Sequence, residues 1–179
     1  MRRAKDGDVD AYAALLRTHQ GAARRLAAVV GGTGDADEVA QDAFVKAWDG
    51  HATFRPSSPF RPWLLRIVAN EARNRRRAAG RRAGYELRFA TDRATARTGP
   101  SPESAALAAA DQQTLHAALA GLPERERDVV ACRYVAGLSE EETAQALGVP
   151  RGTVKSRASR GLARLRAGLD GGAREDRDG

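Results

Sequence analysis

Cysteine, histidine and aromatic residues are scarce in this 179-residue chain. Cysteine occurs once, at Cys132, which excludes an intramolecular disulfide and a cysteine-based zinc site. The three histidines, His19, His51 and His116, lie too far apart to offer metal-ligand spacing. Neither a metal nor a cofactor is therefore expected. No apolar run approaches the roughly 20 residues that a membrane helix needs. The opening segment, Met1-Arg2-Arg3-Ala4-Lys5-Asp6, lacks the apolar core of a secretory signal. A cytoplasmic protein without membrane insertion is the expectation. Strand patterning is missing as well, because no stretch alternates apolar and polar residues convincingly.

Charge is what the chain has in abundance. Thirty Lys and Arg face 23 Asp and Glu, for a formal charge of +7. The excess is uneven. Residues 71–97 carry a net +6, residues 1–70 a net +2 and residues 98–179 a net −1. Within the last stretch, 149–169 holds six basic residues and no acidic one. Two concentrated basic stretches fit a protein that touches a polyanion at two places, although a solvated basic surface would read the same way.

Apolar spacing near 3.6 predicts a helix over 8–30, with Tyr12, Leu16, Ala23, Leu26 and Val30 on one stripe. Gly31 to Gly34 stops it. Asp35 and Glu38 form a capping-box-like start for a second helix that reaches about Trp48. A Pro/Ser-rich loop over 50–59 leads to a third helix, from Arg61-Pro62 to about Arg77. Residues 79–102 read as a flexible basic linker, with scattered glycine, proline and arginine. Helices then follow from Glu103 to about Leu119 and from Glu124 to Val135. Ser139 with Glu142 makes a capping box for a short helix to Leu147, and Gly148-Val149-Pro150 turns into a last helix from Arg151 to about Leu169. The tail 170–179 reads as disordered. The fold expected is all-α: two small helical domains, 6–78 and 103–169, joined by the linker 79–102.

Ser139 to Leu169 has the arithmetic of a helix-turn-helix: a short capped helix, a glycine turn and a basic second helix. On a helical wheel Val154, Ala158, Gly161, Leu162 and Leu165 form the inward stripe. Ser156, Ser159 and Arg160 point away, where a major groove would lie, and Lys155, Arg157 and Arg164 flank them. Outward Ser and Arg suit base edges, and the flanking cations suit phosphates. The third helix carries a second polar face of Trp63, Arg66, Asn70, Arg73 and Asn74 opposite its apolar stripe. An indole beside amides and guanidiniums suits single-stranded bases, unless Trp63 simply packs in the core. The loop 51–58 is placed to close over an extruded base. Glu38, Gln41 and Asp42 on the second helix form an acidic patch, which reads equally as a protein-docking face or as acids complementing a helix dipole. Cys132, beside Val129 and Val130, reads as a small core residue, with redox sensing as the minor alternative.

Two other function classes are compatible with a DNA-facing helix. A free-standing helix-turn-helix regulator would need a dimerisation surface and a palindromic operator, and no long heptad repeat is visible. A nuclease or recombinase would need clustered carboxylates or an activated hydroxyl. The carboxylates here sit outside the basic faces, and Ser156 and Ser159 have no base nearby in sequence.

Three segments resemble the sigma factors of bacterial RNA polymerase. Asp35-Ala36-Asp37-Glu38-Val39-Ala40-Gln41-Asp42-Ala43-Phe44-Val45-Lys46-Ala47-Trp48 resembles conserved region 2.2. Phe60-Arg61-Pro62-Trp63-Leu64-Leu65-Arg66-Ile67-Val68-Ala69-Asn70 resembles regions 2.3–2.4. The stretch from Leu122-Pro123-Glu124-Arg125-Glu126-Arg127 through Gly152-Thr153-Val154-Lys155-Ser156-Arg157 resembles region 4. Their order and spacing match the small extracytoplasmic-function (ECF) type of the sigma-70 family over about residues 6–169.

The resemblance implies a non-catalytic specificity subunit that binds core RNA polymerase and directs promoter-specific initiation. It implies that Glu38, Gln41 and Asp42 dock on the clamp coiled coil of the β′ subunit and that region 4 contacts the β flap. It implies that His51, Phe54, Trp63, Arg66, Asn70, Arg73 and Asn74 engage the −10 element as single-stranded DNA. The −35 element, as duplex, would be read by Arg151, Thr153, Lys155, Ser156, Arg157, Ser159, Arg160 and Arg164. A separate anti-sigma protein is the implied regulator, since no zinc anti-sigma motif and no additional domain follow region 4.

Overall fold

The computed structural model describes residues 8–32, 34–51, 54–55, 58–86 and 113–175. Among these residues the secondary structure is helical, with no strand, as the sequence predicts. Helix α1 spans Val9–Gly31, α2 Ala36–Asp49 and α3 Phe60–Glu86. Residues 113–121 form α4. Helix α5, Glu124–Val130, continues as a wider π turn over Ala131–Val135. Helices α6, Glu140–Leu147, and α7, Arg151–Glu175, complete the chain.

Local chemistry accounts for most of these boundaries. The Asp8 side chain accepts from the Ala11 N–H at 2.8 Å and opens α1. Asp35 occupies the cap of α2 but makes no side-chain cap hydrogen bond, so the expected capping box is not formed there. Asp37 and Glu38 still place negative charge in the first turn of α2, where the helix dipole favours it. At α6 the capping box is complete: the Glu142 N–H donates to Ser139 Oγ at 3.1 Å, and the Ser139 N–H donates to Glu142 Oε2 at 2.8 Å. Gly148 ends α6 in the left-handed region at φ 65°, which a side chain would strain.

Two boundaries differ from the sequence reading. Helix α3 continues to Glu86, so the first eight residues of the expected linker are helical. Ala79, Arg81, Arg82, Ala83 and Glu86 are good helix formers and carry the helix past Gly80 and Gly84. Helix α7 likewise runs on to Glu175, past the expected start of a disordered tail at 170. The rest of the linker, from 87, the start expected at Glu103, and the last four residues of the tail lie outside the described residues.

Helices α1 to α3 pack around Leu26, Val30, Val39, Ala43, Leu65, Val68 and Ala72. Fully burying a leucine or valine of this kind contributes about 1.5–3 kcal/mol. Leu119, Leu122, Val130, Ala131, Cys132, Ala136 and Leu138, from the C-terminal helices and the turns between them, join the same apolar cluster. The two halves therefore sit against each other. A second, smaller cluster of Val129, Ala144, Val154 and Ala158 holds α5, α6 and α7 together as the helix-turn-helix.

Candidate nucleic-acid interface

Helix α7 turns Val154, Ala158, Gly161 and Leu165 inward, where they are buried. Arg151, Lys155, Ser156, Ser159, Arg160 and Arg164 are exposed, and Thr153 and Arg157 are half-buried. Ser156 Oγ donates back to the Thr153 carbonyl at 3.2 Å. Arg151, at the start of the helix, lies 3.4 Å from Glu141 in the acidic first turn of α6. Arg160 and Arg164, one turn apart, both lean toward Glu126 of α5, at 3.4 Å and 3.0 Å.

The second polar face lies on α3. Arg66, Asn70 and Asn74 are exposed, while Trp63 and Arg73 are half-buried. Trp63 belongs to an aromatic cluster with Phe54 and Phe60, at ring separations of 5.1 Å and 5.7 Å. It therefore packs and remains partly accessible at once. Phe54 is only 4% exposed, so this loop residue anchors the cluster from within. His51 stacks on Trp48 at 5.4 Å and donates through Nδ1 to the Trp48 carbonyl. Trp48 in turn lies 4.8 Å from Tyr12, whose hydroxyl donates to the Phe44 carbonyl at 2.6 Å. His51 is thus pinned by a ring at the end of α2 and Phe54 by rings at the start of α3, and residues 52, 53, 56 and 57 lie outside the described residues.

Arg73 is drawn toward the other half of the molecule. Its Nη1 donates to Asn70 Oδ1 at 2.9 Å, and its Nε lies 2.8 Å from Asp128 on α5. Both partners are largely buried, at 18% and 10% side-chain exposure. Burial pushes the Asp128 carboxyl above the usual carboxylate range, and Arg73 opposes that shift. Further arginines cross the same seam. Arg61 donates to the Ala136 carbonyl and, at 3.4 Å, to that of Gly137, and Arg25 donates to the Val135 carbonyl at 3.4 Å. Guanidiniums from α1 and α3 thereby cap the carbonyl end of the α5 helix, where its dipole is negative.

Glu38, Gln41 and Asp42 are exposed on α2. Arg75 of α3 bridges the two acids, 2.6 Å from Glu38 and 3.0 Å from Asp42. These partners raise the Arg75 pKa further, so the guanidinium stays charged. The acidic patch is therefore pre-paired with an internal cation. Sequence reading overlooked Arg75, Arg61, Glu126 and Asp128. Each partner lies on a different helix, and no local spacing announces such a pair.

Among the described residues no cluster of three or more His, Cys, Asp or Glu could hold a metal ion. None of the described helices is long and apolar enough to cross a membrane.

Residues 11–82 match the family described as Sigma-70 region 2, and residues 118–167 match Sigma-70, region 4. The ECF RNA polymerase sigma-E factor of Escherichia coli (strain K12) is 32% identical over 166 residues, covering 89% of this chain and 87% of that protein. The RNA polymerase sigma-H factor of Pseudomonas aeruginosa is 34% identical over 169 residues, covering 89% and 86%. Among solved structures, CnrH in complex with the cytosolic domain of CnrY is similar at TM-score 0.72 and 30% identity, covering 95% of this chain and 94% of that one. The sigma factor RpoE of Bartonella quintana, solved with the anti-sigma factor NepR, is similar at TM-score 0.71 and 26% identity, covering 89% and 96%.

Proposed function

This chain belongs to the ECF sigma factors of the sigma-70 family and directs transcription initiation, and from that premise we propose how its surfaces divide the work. The observation that supports the division is the separation of three exposed faces: basic on α7, amide and aromatic on α3, acidic on α2. Helix α7 reads the −35 element as duplex. Lys155, Ser156, Ser159 and Arg160 meet base edges, and Arg151, Thr153, Arg157 and Arg164 meet phosphates. The face of Trp63, Arg66, Asn70, Arg73 and Asn74, with His51 at the loop and Phe54 supporting Trp63 from within the aromatic cluster, captures the −10 element as single strand. Glu38, Gln41 and Asp42 dock on the clamp coiled coil of β′, and region 4 meets the β flap. The functional units are 6–78 and 103–169, with 79–102 as their tether and 170–179 as a tail without a role in reading.

Energetics favour this arrangement over a free-standing regulator. A basic face alone binds all DNA and loses affinity steeply with salt. Base contacts at two spaced elements discriminate by roughly 1–3 kcal/mol per mismatched pair. Tethering both readers to polymerase makes the second contact intramolecular. Opening DNA costs a few kcal/mol per unstacked step, and capture of an extruded base on the Trp63 face offsets part of it. Arg73 reaches that strand only after its pair with Asp128 opens, so separation of the two halves precedes −10 capture. The chain works in the cytoplasm, adds no catalysis of its own, and is restrained by a separate anti-sigma protein, as CnrH and RpoE were solved with CnrY and NepR.

Run-off transcription tests the proposal. Core RNA polymerase with this chain should initiate at defined promoters, and the chain alone should neither initiate nor open a duplex. Strand opening by the isolated chain, or no initiation with core enzyme, would contradict it.

A further inference from the structure

We infer that Glu126 is a positioning residue for −35 recognition: it aims Arg160 and Arg164 and lowers the positive charge of the reading helix. The inference rests on α7 being that helix. Glu126 is 8% exposed, although its residue type is almost never buried without a partner. Its two carboxylate oxygens face the Nε atoms of Arg160 at 3.4 Å and Arg164 at 3.0 Å. Oε2 is fully buried and accepts no aligned hydrogen bond, so charge attraction holds it to Arg164.

The backbone makes this approach possible. Gly161 lies between the two arginines in sequence, and a Cβ there would meet Val130 Cγ2 at 2.7 Å and Glu126 Cβ at 3.5 Å. Helix α7 thus rests on α5 at a point that admits no side chain, which brings the guanidinium stems within reach of Glu126. Glu126 also lies in the first turn of α5, where the helix dipole stabilises its charge. Both arginines remain 60% exposed, so their outer nitrogens stay available to DNA. A tethered Nε fixes the fork direction of Arg160, which favours one base-edge geometry over diffuse phosphate contact. The same carboxylate offsets one positive charge on a face whose non-specific affinity scales with that charge.

The test uses holoenzyme assembled from the full chain and core polymerase. Binding to a promoter that this holoenzyme transcribes is compared, over a salt series, with binding to the same fragment carrying a scrambled −35 element. Glu126→Gln should tighten binding to the scrambled fragment, steepen the log-affinity slope against log salt by up to about one unit, and reduce −35 discrimination about five- to tenfold. Glu126→Asp keeps the charge but withdraws it by one methylene; the slope should stay and discrimination should fall at least twofold. Parent values for both slope and discrimination in Glu126→Gln would overturn the inference. So would equal weakening on both fragments with an unchanged slope, the outcome of a merely structural role. Should Glu126→Gln unfold, parent-level discrimination in Glu126→Asp would overturn it. Arg160→Ala separates the two readings. If it leaves −35 discrimination intact, the assignment of α7 fails; if it abolishes discrimination while Glu126→Gln changes nothing, only the role of Glu126 fails.

Discussion

Replacing Gly161 by alanine asks whether α7 rests on α5 as closely as the structure places it. In an exposed helix interior, glycine to alanine stabilises by up to about 1 kcal/mol, because alanine loses less backbone freedom on folding. At Gly161 the new methyl would sit 2.7 Å from Val130 Cγ2, well inside the usual 3.5–4.0 Å separation of carbon atoms. Val130 is 2% exposed and packed on all sides, so it has little room to yield. Overpacking of this kind costs about 1–3 kcal/mol. The clash therefore outweighs the propensity gain, and Gly161→Ala should destabilise by about 1 kcal/mol, a fall of roughly 2–4 °C in Tm. Gly168, on the same helix with nothing within 4 Å of its would-be Cβ, supplies the control: Gly168→Ala should stabilise by about 0.5–1 kcal/mol. Val130→Ala removes the obstructing methyl. The double variant Gly161→Ala/Val130→Ala should be more stable than the two single effects add to, by about 1 kcal/mol. Urea and thermal unfolding of all four variants measure this. If Gly161→Ala gained stability as Gly168→Ala does, and the double variant showed no coupling, the close contact between α5 and α7 would be refuted.

Tyr12 links alkaline stability to one buried hydroxyl. Burial, with Asp49 nearby, pushes its hydroxyl up to about 12 from an ordinary 10, so its contribution is full below pH 10 and is lost as pH rises through 12. Tyr12→Phe should cost about 1 kcal/mol at neutral pH and flatten the stability profile between pH 10 and 12; an unchanged profile would remove Tyr12 as the titrating group. On α2, Arg75→Ala frees Glu38 and Asp42 and should tighten core-polymerase binding a few-fold, with stability changed by less than about 0.5 kcal/mol because the pair is exposed. Asp42→Arg should weaken core binding while leaving promoter-fragment binding intact, and loss of both would point to misfolding instead. Cys132 is fully buried, and burial pushes its thiol up to about 12. A thiol reagent should label it only as fast as the chain unfolds; rapid labelling at neutral pH would restore a redox role.

The fold class was legible because helix signals are local. The Tyr12–Val30 stripe, the Ser139–Glu142 box and the glycine turns each act within a few residues, and the structure follows them. The cap at Asp35 failed as a local signal because its side chain forms no cap hydrogen bond, although the helix begins there all the same. The inward stripe of α7 was equally readable, since helical period alone decides which residues a helix turns to its neighbours. Trp63 shows where that logic stops. Its place on the wheel suggests either a core or a ligand face, and the ring does both, because Phe54 and Phe60 hold one side of it.

The sequence by itself determined the all-α class, the helix-turn-helix, the separation of basic and acidic stretches, and the family, because each is carried by residue order over short range. Tertiary structure alone decided which charges are spent inside the molecule. Arg73 meets Asp128 from 55 residues away in sequence, Arg75 bridges Glu38 and Asp42, and Glu126 holds Arg160 and Arg164. Charge acts through space, so a count of arginines along the chain states how much charge there is. Only the packing of helices states how much of it remains for DNA.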